Sequence, residues 1–109
     1  MMEDSLNLLY QTVMERRENP QEGSYTCYLF EKGIDKILKK CGEECSEVII
    51  AAKNGNNEET VYEIADLFYH ITVLMAQQGI TPDEVNAELL KRSQKKGNLK
   101  QFHQTDKNT

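Results

Sequence analysis

Two long stretches, residues 34–55 and 58–79, repeat their apolar residues at steps of mostly three and four, and only the tetrapeptide NGNN separates the two patterns. In the first stretch the repeating positions are Ile34, Ile37, Leu38, Cys41, Cys45, Val48, Ile49 and Ala52; in the second they are Val61, Ile64, Leu67, Phe68, Ile71, Leu74 and Met75. That periodicity specifies amphipathic helices, and so short a connection makes them antiparallel neighbours. Gly55 is expected to close the first helix and Asn57 to cap the second, which stops at Gly79. Tyr62, Tyr69, Val73 and Ala76 add apolar surface off the main stripe, so the second helix should pack on two sides.

The remaining segments extend the same pattern. Leu6, Leu9, Tyr10, Val13 and Met14 predict a helix from Ser5 to about Arg17, ended by Asn19-Pro20. A loop PQEGS follows, then a short helix over YTCYLFEK between the capping residues Ser24 and Gly33. Thr81-Pro82-Asp83-Glu84 combines a hydroxyl cap, a proline at the first helical position and a glutamate three residues on, so a last helix should run to about Lys96 and Gly97. Nothing alternates with period two. The expected fold is an all-α antiparallel bundle of four to five helices. Residues 1–97 would form one domain and residues 98–109 a polar C-terminal tail.

At 109 residues such a domain has a modest core, and completion by dimerisation is expected. The net charge of −5 disfavours general nucleic-acid affinity, so a phosphate-rich ligand needs a local basic patch. No apolar run suggests a membrane span and the N-terminus lacks the layout of a signal peptide, which points to the cytoplasm. Cys27, Cys41 and Cys45 form no C-x-x-C pair and are expected to be small buried thiols, with too few neighbouring ligands for zinc.

The charged residues are not scattered. At about 100° per residue, Lys36, Lys40, Glu44 and Glu47 fall within an arc of roughly 80° beside the apolar stripe, and Glu59, Glu63, Asp66 and His70 within roughly 60° on the next helix. The E-x-x-E pair at 44 and 47 and the E-x-x-D pair at 63 and 66 are expected to face outward from their helices. Equal distances from the turn then let the four carboxylates converge. Like charges that close raise each other's pKa, and a divalent cation relieves the repulsion. Mg²⁺ is the natural candidate, since it prefers hard oxygen ligands and is completed by substrate phosphates.

Lysines early and glutamates late run against the helix dipole, and Lys40 precedes Glu44 in the less favourable order for an intrahelical pair. That layout suits a polyphosphate better than it suits stability. His70 is expected to pack or to orient a ligand more than to bind metal, while Glu43 and Glu59 default to solvated roles. There is no Walker phosphate loop, no G-x-S-x-G elbow and no Cys-His pair, so covalent catalysis is not indicated.

Over about Ser24 to Arg92 the chain resembles the phosphoribosyl-ATP pyrophosphohydrolase family. The resemblance is carried by SYT at 24–26, KILKKCGEECSEVIIAAKNG at 36–55 and EIADLFYHITVLMAQQGITPDEVNAEL at 63–89. The acidic pairs alone are shared with all-α nucleoside triphosphate pyrophosphohydrolases of the MazG and dimeric dUTPase type. SYT, KK-x-GEE-x-x-E and ADL-x-YH together favour the histidine-biosynthesis family.

The resemblance implies an all-α homodimer, Mg²⁺ dependence, and hydrolysis of phosphoribosyl-ATP between its α and β phosphates to phosphoribosyl-AMP and pyrophosphate. It makes Glu44, Glu47, Glu63 and Asp66 the metal ligands, one of which orients or deprotonates the attacking water. Lys36, Lys39 and Lys40 become phosphate contacts, although helical geometry supports only Lys36 and Lys40, and Ser24, Tyr25 and Thr26 shape or contact the substrate pocket. The chain is expected to be the free-standing form, not the one fused to the following cyclohydrolase. Cys41 and Cys45 depart from the small apolar residues expected in relatives. A house-cleaning pyrophosphohydrolase of the same superfamily and a non-enzymatic helical dimerisation module are the alternative readings.

Overall fold

The computed structural model describes residues 3–94. They form five helices and no strand: α1 (Glu3–Glu18), α2 (Tyr25–Lys32), α3 (Ile34–Lys53), α4 (Asn57–Gln78) and α5 (Pro82–Ser93). The all-α expectation holds for these residues, while the polar tail lies outside them. The last helix ends at Ser93, short of the expected Lys96, with Gln94 at its cap.

Local chemistry sets each boundary. Ser24 Oγ accepts from Cys27 N at 3.2 Å and opens α2. Gly33 alone separates α2 from α3, and its φ of 94° with ψ of −172° is open to glycine and almost nothing else. Gly33 N donates to Leu29 O and Gly33 O accepts from Ile37 N, so one residue closes one helix and starts the next. Between α3 and α4, Gly55 N donates to Ala52 O and Asn56 N to Ala51 O, the paired bonds of a Schellman ending. The cap of α4 is Asn56, whose Oδ1 accepts from Glu59 N at 3.0 Å, and not Asn57, which is the first helical residue. Two adjacent asparagines made the register ambiguous. The capping box of α5 forms as expected, with Thr81 N donating to Glu84 Oε1 at 2.8 Å and Glu84 N to Thr81 Oγ1 at 3.3 Å.

The core is shared by α1 to α4: Val13, Leu29, Ile37, Cys41, Val73 and Ala76 are buried, with Leu9, Tyr10, Met14, Phe30, Tyr69, Ile71 and Leu74 packed against them. Arg17 ties α1 to α4 by donating to Ala76 O, and its guanidinium lies over Phe30. Burying each of the larger aliphatic residues contributes on the order of 1.5–3 kcal/mol.

The expected apolar stripes are only partly covered. Leu38, Cys45, Ile49 and Ala52 on α3 and Val61, Ile64 and Phe68 on α4 are exposed, Val61 by 67% and Phe68 by 57%. Of the three cysteines Cys41 is buried, Cys27 half-buried and Cys45 exposed, so the buried-thiol expectation fails at Cys45. Periodicity locates an apolar face without saying which neighbour covers it, and among the described residues nothing covers this one.

Candidate active site

The site lies between α3 and α4, the two helices that the tight turn folds back on each other. Glu44 senses the carboxylate of Asp66, and Glu63 that of Glu47, the crossed pairing of an antiparallel hairpin. Glu44 and Asp66 come together in the expected register, while Glu47 and Glu63 stand outside their close cluster and act on each other through charge; the outward direction expected of the four is not kept. Glu44 and Glu63 are buried, Glu44 only 7% exposed, Asp66 is half-buried, and only Glu47 faces solvent. The polar arc of each helix is turned toward the other helix, and part of the apolar stripe is turned out. Helical spacing fixes angles among residues of one helix and leaves the rotation of the whole helix free.

Burial makes these groups unusual acids. Glu44 is pushed above the ordinary carboxylate range by burial and by sharing a proton-mediated contact with Asp66, while His70 and Lys40 pull it back. Its Oε1 is buried with no hydrogen-bond partner among the described residues. Burial, a hydrogen bond with Glu59 and the charges of Glu47, Glu59 and Glu44 push Glu63 up to about 7. Glu59, expected only to favour the helix start, thus also touches the site.

His70 is 3% exposed, and both of its ring nitrogens are engaged. Nδ1 lies 2.9 Å from the Asp66 backbone oxygen and 3.4 Å from Asp66 Oδ1. A carbonyl oxygen only accepts, so Nδ1 carries a proton, and Nε2 lies in hydrogen-bond contact with Tyr25 Oη at 3.0 Å. One ligand atom each from Glu44, Asp66 and His70 lies within 4.8 Å of the others. His70 was expected to pack or to orient a ligand from its position one turn after Asp66, and its Nδ1 contact with Asp66 agrees with that; the bond to Tyr25 was not foreseen.

The SYT segment builds a wall of this site. Ser24 caps α2, Tyr25 bonds His70, and the Thr26 and Tyr69 hydroxyls hydrogen-bond to each other. Tyr25 also stacks near Tyr28 and Tyr69, with ring centroids 6.0 and 6.1 Å away. Burial raises the Tyr25 phenol pKa, with Lys40 working against it. Lys40 Nζ sits 3.2 Å from Glu43 Oε1 and 3.7 Å from Glu44 Oε2 at the rim. Lys36 lies over the Tyr28 ring instead, 5.8 Å from its centroid, and Lys39 is exposed one step around the helix from Lys40. An open cavity of about 920 Å³, lined by residues of α1, α2 and their connection, adjoins Tyr25 and was not foreseen from the sequence.

Comparison with known proteins places this geometry. The pattern of the family described as phosphoribosyl-ATP pyrophosphohydrolase matches residues 6–93. A phosphoribosyl-ATP pyrophosphatase of Limosilactobacillus fermentum is 60% identical over 87 residues, 80% of this chain and 82% of that one. One of Listeria welshimeri is 59% identical over 90 residues, 83% of this chain and 86% of the relative. A histidine biosynthesis bifunctional protein HisIE of Caldanaerobacter subterraneus is 56% identical over 90 residues, 83% of this chain but 44% of that longer protein. With a family pattern spanning all five helices and relatives this similar over most of their length, the chain belongs to the phosphoribosyl-ATP pyrophosphohydrolase family.

Proposed function

We propose that the protein hydrolyses phosphoribosyl-ATP between the α and β phosphates, releasing phosphoribosyl-AMP and pyrophosphate, with Mg²⁺ held by Glu44, Glu47, Glu63 and Asp66. Family membership supports the substrate, which the relatives' names state. The observation that carries the metal site is the buried, unpartnered Oε1 of Glu44 beside Asp66. A buried acceptor without a donor costs about 1–3 kcal/mol, and a hard cation among oxygen ligands removes that cost. A bound Mg²⁺ supplies a lowered pKa for its water and neutralises charge on the leaving pyrophosphate.

The chain's own groups prepare for that chemistry. The Glu44, Asp66 and Glu63 carboxylates are held by packing before any ligand arrives, so little reorganisation remains. Lys40, balanced between Glu43 and Glu44 at the rim, can swing its ammonium onto a phosphate oxygen. Tyr25 is held against His70 by its hydroxyl, which turns its ring toward the carboxylates. The Thr26–Tyr69 hydrogen bond and the helix cap made by Ser24 hold Tyr25 in position.

We also place the working form as a homodimer. Leu38, Ile49, Ile50, Val61, Tyr62, Ile64 and Phe68 are exposed on α3 and α4, an apolar surface larger than scattered exposure explains. Covering it with a second copy completes the two-sided packing of α4. The three free cysteines support a reducing compartment, the cytoplasm.

Pyrophosphate release from phosphoribosyl-ATP and from a panel of ordinary and damaged nucleoside triphosphates, with and without Mg²⁺, tests the reading. Metal-dependent release from phosphoribosyl-ATP in preference to the panel is expected. Preference for another triphosphate would move the protein to a house-cleaning role, and no release from any of them would leave the acidic faces without a reaction.

A further inference from the structure

We propose that the cavity between the end of α1 and the start of α2 holds the phosphoribosyl end of the substrate, with Arg16 as the contact to its 5-phosphate. The inference rests on the proposed substrate and assigns its second anionic end. That substrate carries a triphosphate on one ribose and a separate phosphate monoester on a second ribose attached to the base. The carboxylate cluster and Lys40 account for the triphosphate only.

The cavity is placed for the other end. It measures about 920 Å³, within the range of pockets that enclose nucleotide-sized ligands, and shares Tyr25 with the carboxylate site. A ligand anchored at Glu44 and Asp66 therefore reaches the cavity by passing Tyr25.

The lining matches a ribose phosphate. Two guanidiniums border the cavity, but Arg17 is committed to Ala76 O and to the Phe30 ring. Among the described residues the Arg16 side chain pairs with its sequence neighbour Glu15 alone, at 3.1 Å and exposed, an arrangement a phosphate readily displaces. Its planar fork suits two phosphate oxygens at once. Glu22 and Glu31 also line the cavity, and carboxylates accept from vicinal ribose hydroxyls as they do in dinucleotide sites. Ser24 Oγ accepts the helix-capping bond, which leaves its hydroxyl hydrogen free to donate to the ligand. A plain anion trap would not carry the two carboxylates.

Arg16 would then set selectivity for phosphoribosyl-ATP over unmodified ATP. Its substitution leaves the fold's own bonds in place, because Cys27 Sγ contacts the Arg16 backbone oxygen and not its side chain. Arg16→Ala is expected to raise KM for phosphoribosyl-ATP at least tenfold with kcat within a few-fold, and Arg16→Lys to recover part of the loss. The penalty should vanish on the same nucleotide lacking its 5-phosphate, which distinguishes phosphate contact from general damage. Calorimetric binding of phosphoribosyl-AMP to wild type and Arg16→Ala gives a readout independent of turnover. Equal KM and equal product affinity in wild type and Arg16→Ala, or an equal penalty on the 5-dephosphorylated nucleotide, would overturn the assignment. Arg16-dependent binding of phosphoribosyl-AMP without turnover of phosphoribosyl-ATP would uphold the cavity and contradict the proposed reaction instead.

Discussion

Glu63 shows what burial does to an acid that the sequence presents as one charge among many. Its pKa, ordinarily 4.5, is pushed up to about 7 by burial and by Glu59, Glu47 and Glu44. The folded state holds this proton more tightly than the unfolded state, so the group's stabilising contribution is full below pH 4.5 and is lost as pH rises to about 7. In metal-free protein, Glu63→Gln should therefore melt increasingly above wild type as pH is raised across that window. Thermal scans of both proteins check it; parallel curves would contradict the raised pKa. Tyr25→Phe makes a second test at this scale. It removes the hydroxyl bonded to His70 Nε2 and leaves that buried nitrogen unpaired, which should cost about 1–3 kcal/mol in denaturant unfolding. The spacing of E-x-x-E and E-x-x-D was enough to single out Glu44 and Asp66, which the fold brings together, and Glu63 beside them. It could not reveal that Glu44 and Glu63 point inward, because that depends on the rotation of α3 against α4. The roles of His70 and Arg16 depend on contacts across 45 and more residues of chain or on a cavity, and no local pattern carries them.

At the scale of elements, legibility followed the caps. α2 was found from Ser24 and Gly33, and α5 from its capping box, because each signal has one placement. The start of α4 slipped by one residue because Asn56 and Asn57 compete for the same cap, and only the bond to Glu59 N decides. Gly33 carries the most structural consequence. A single residue turns the chain from α2 into α3, and so fixes where Tyr25 stands relative to Glu44. Its conformation, φ 94° and ψ −172°, strains any residue with a Cβ, and Gly33→Ala should destabilise the fold by about 1–3 kcal/mol although no atom crowds the new methyl. An unchanged denaturation midpoint would show that the α2–α3 turn can relax. Pocket chemistry and helix connection are coupled here, since the SYT segment reaches α4 only if this turn is kept.

For the whole molecule, the described residues leave Leu38, Ile49, Ile50, Val61, Ile64 and Phe68 uncovered while two carboxylates occupy the space between α3 and α4. The sequence showed how much apolar surface exists and could not apportion it between a core and a partner. In the proposed homodimer a second copy of the chain would cover the excess. Phe68→Asp should convert a dimer to a monomer in sedimentation velocity, with helicity retained; a wild-type monomer at micromolar concentration would contradict the proposed assembly. Packing of α3 and α4 against a partner would also hold the hairpin at the spacing the carboxylates need, which links assembly to activity.

The proposed function makes the buried carboxylates between α3 and α4 the centre of a metal-dependent pyrophosphohydrolase. Its most direct test is the initial rate of pyrophosphate release from phosphoribosyl-ATP across a Mg²⁺ titration, for wild type and Glu44→Gln. The account predicts saturable Mg²⁺ activation in wild type and a loss of at least a hundredfold in Glu44→Gln that added Mg²⁺ does not restore, with the variant still folded. Equal rates in the two proteins, or wild-type turnover indifferent to Mg²⁺, would contradict it.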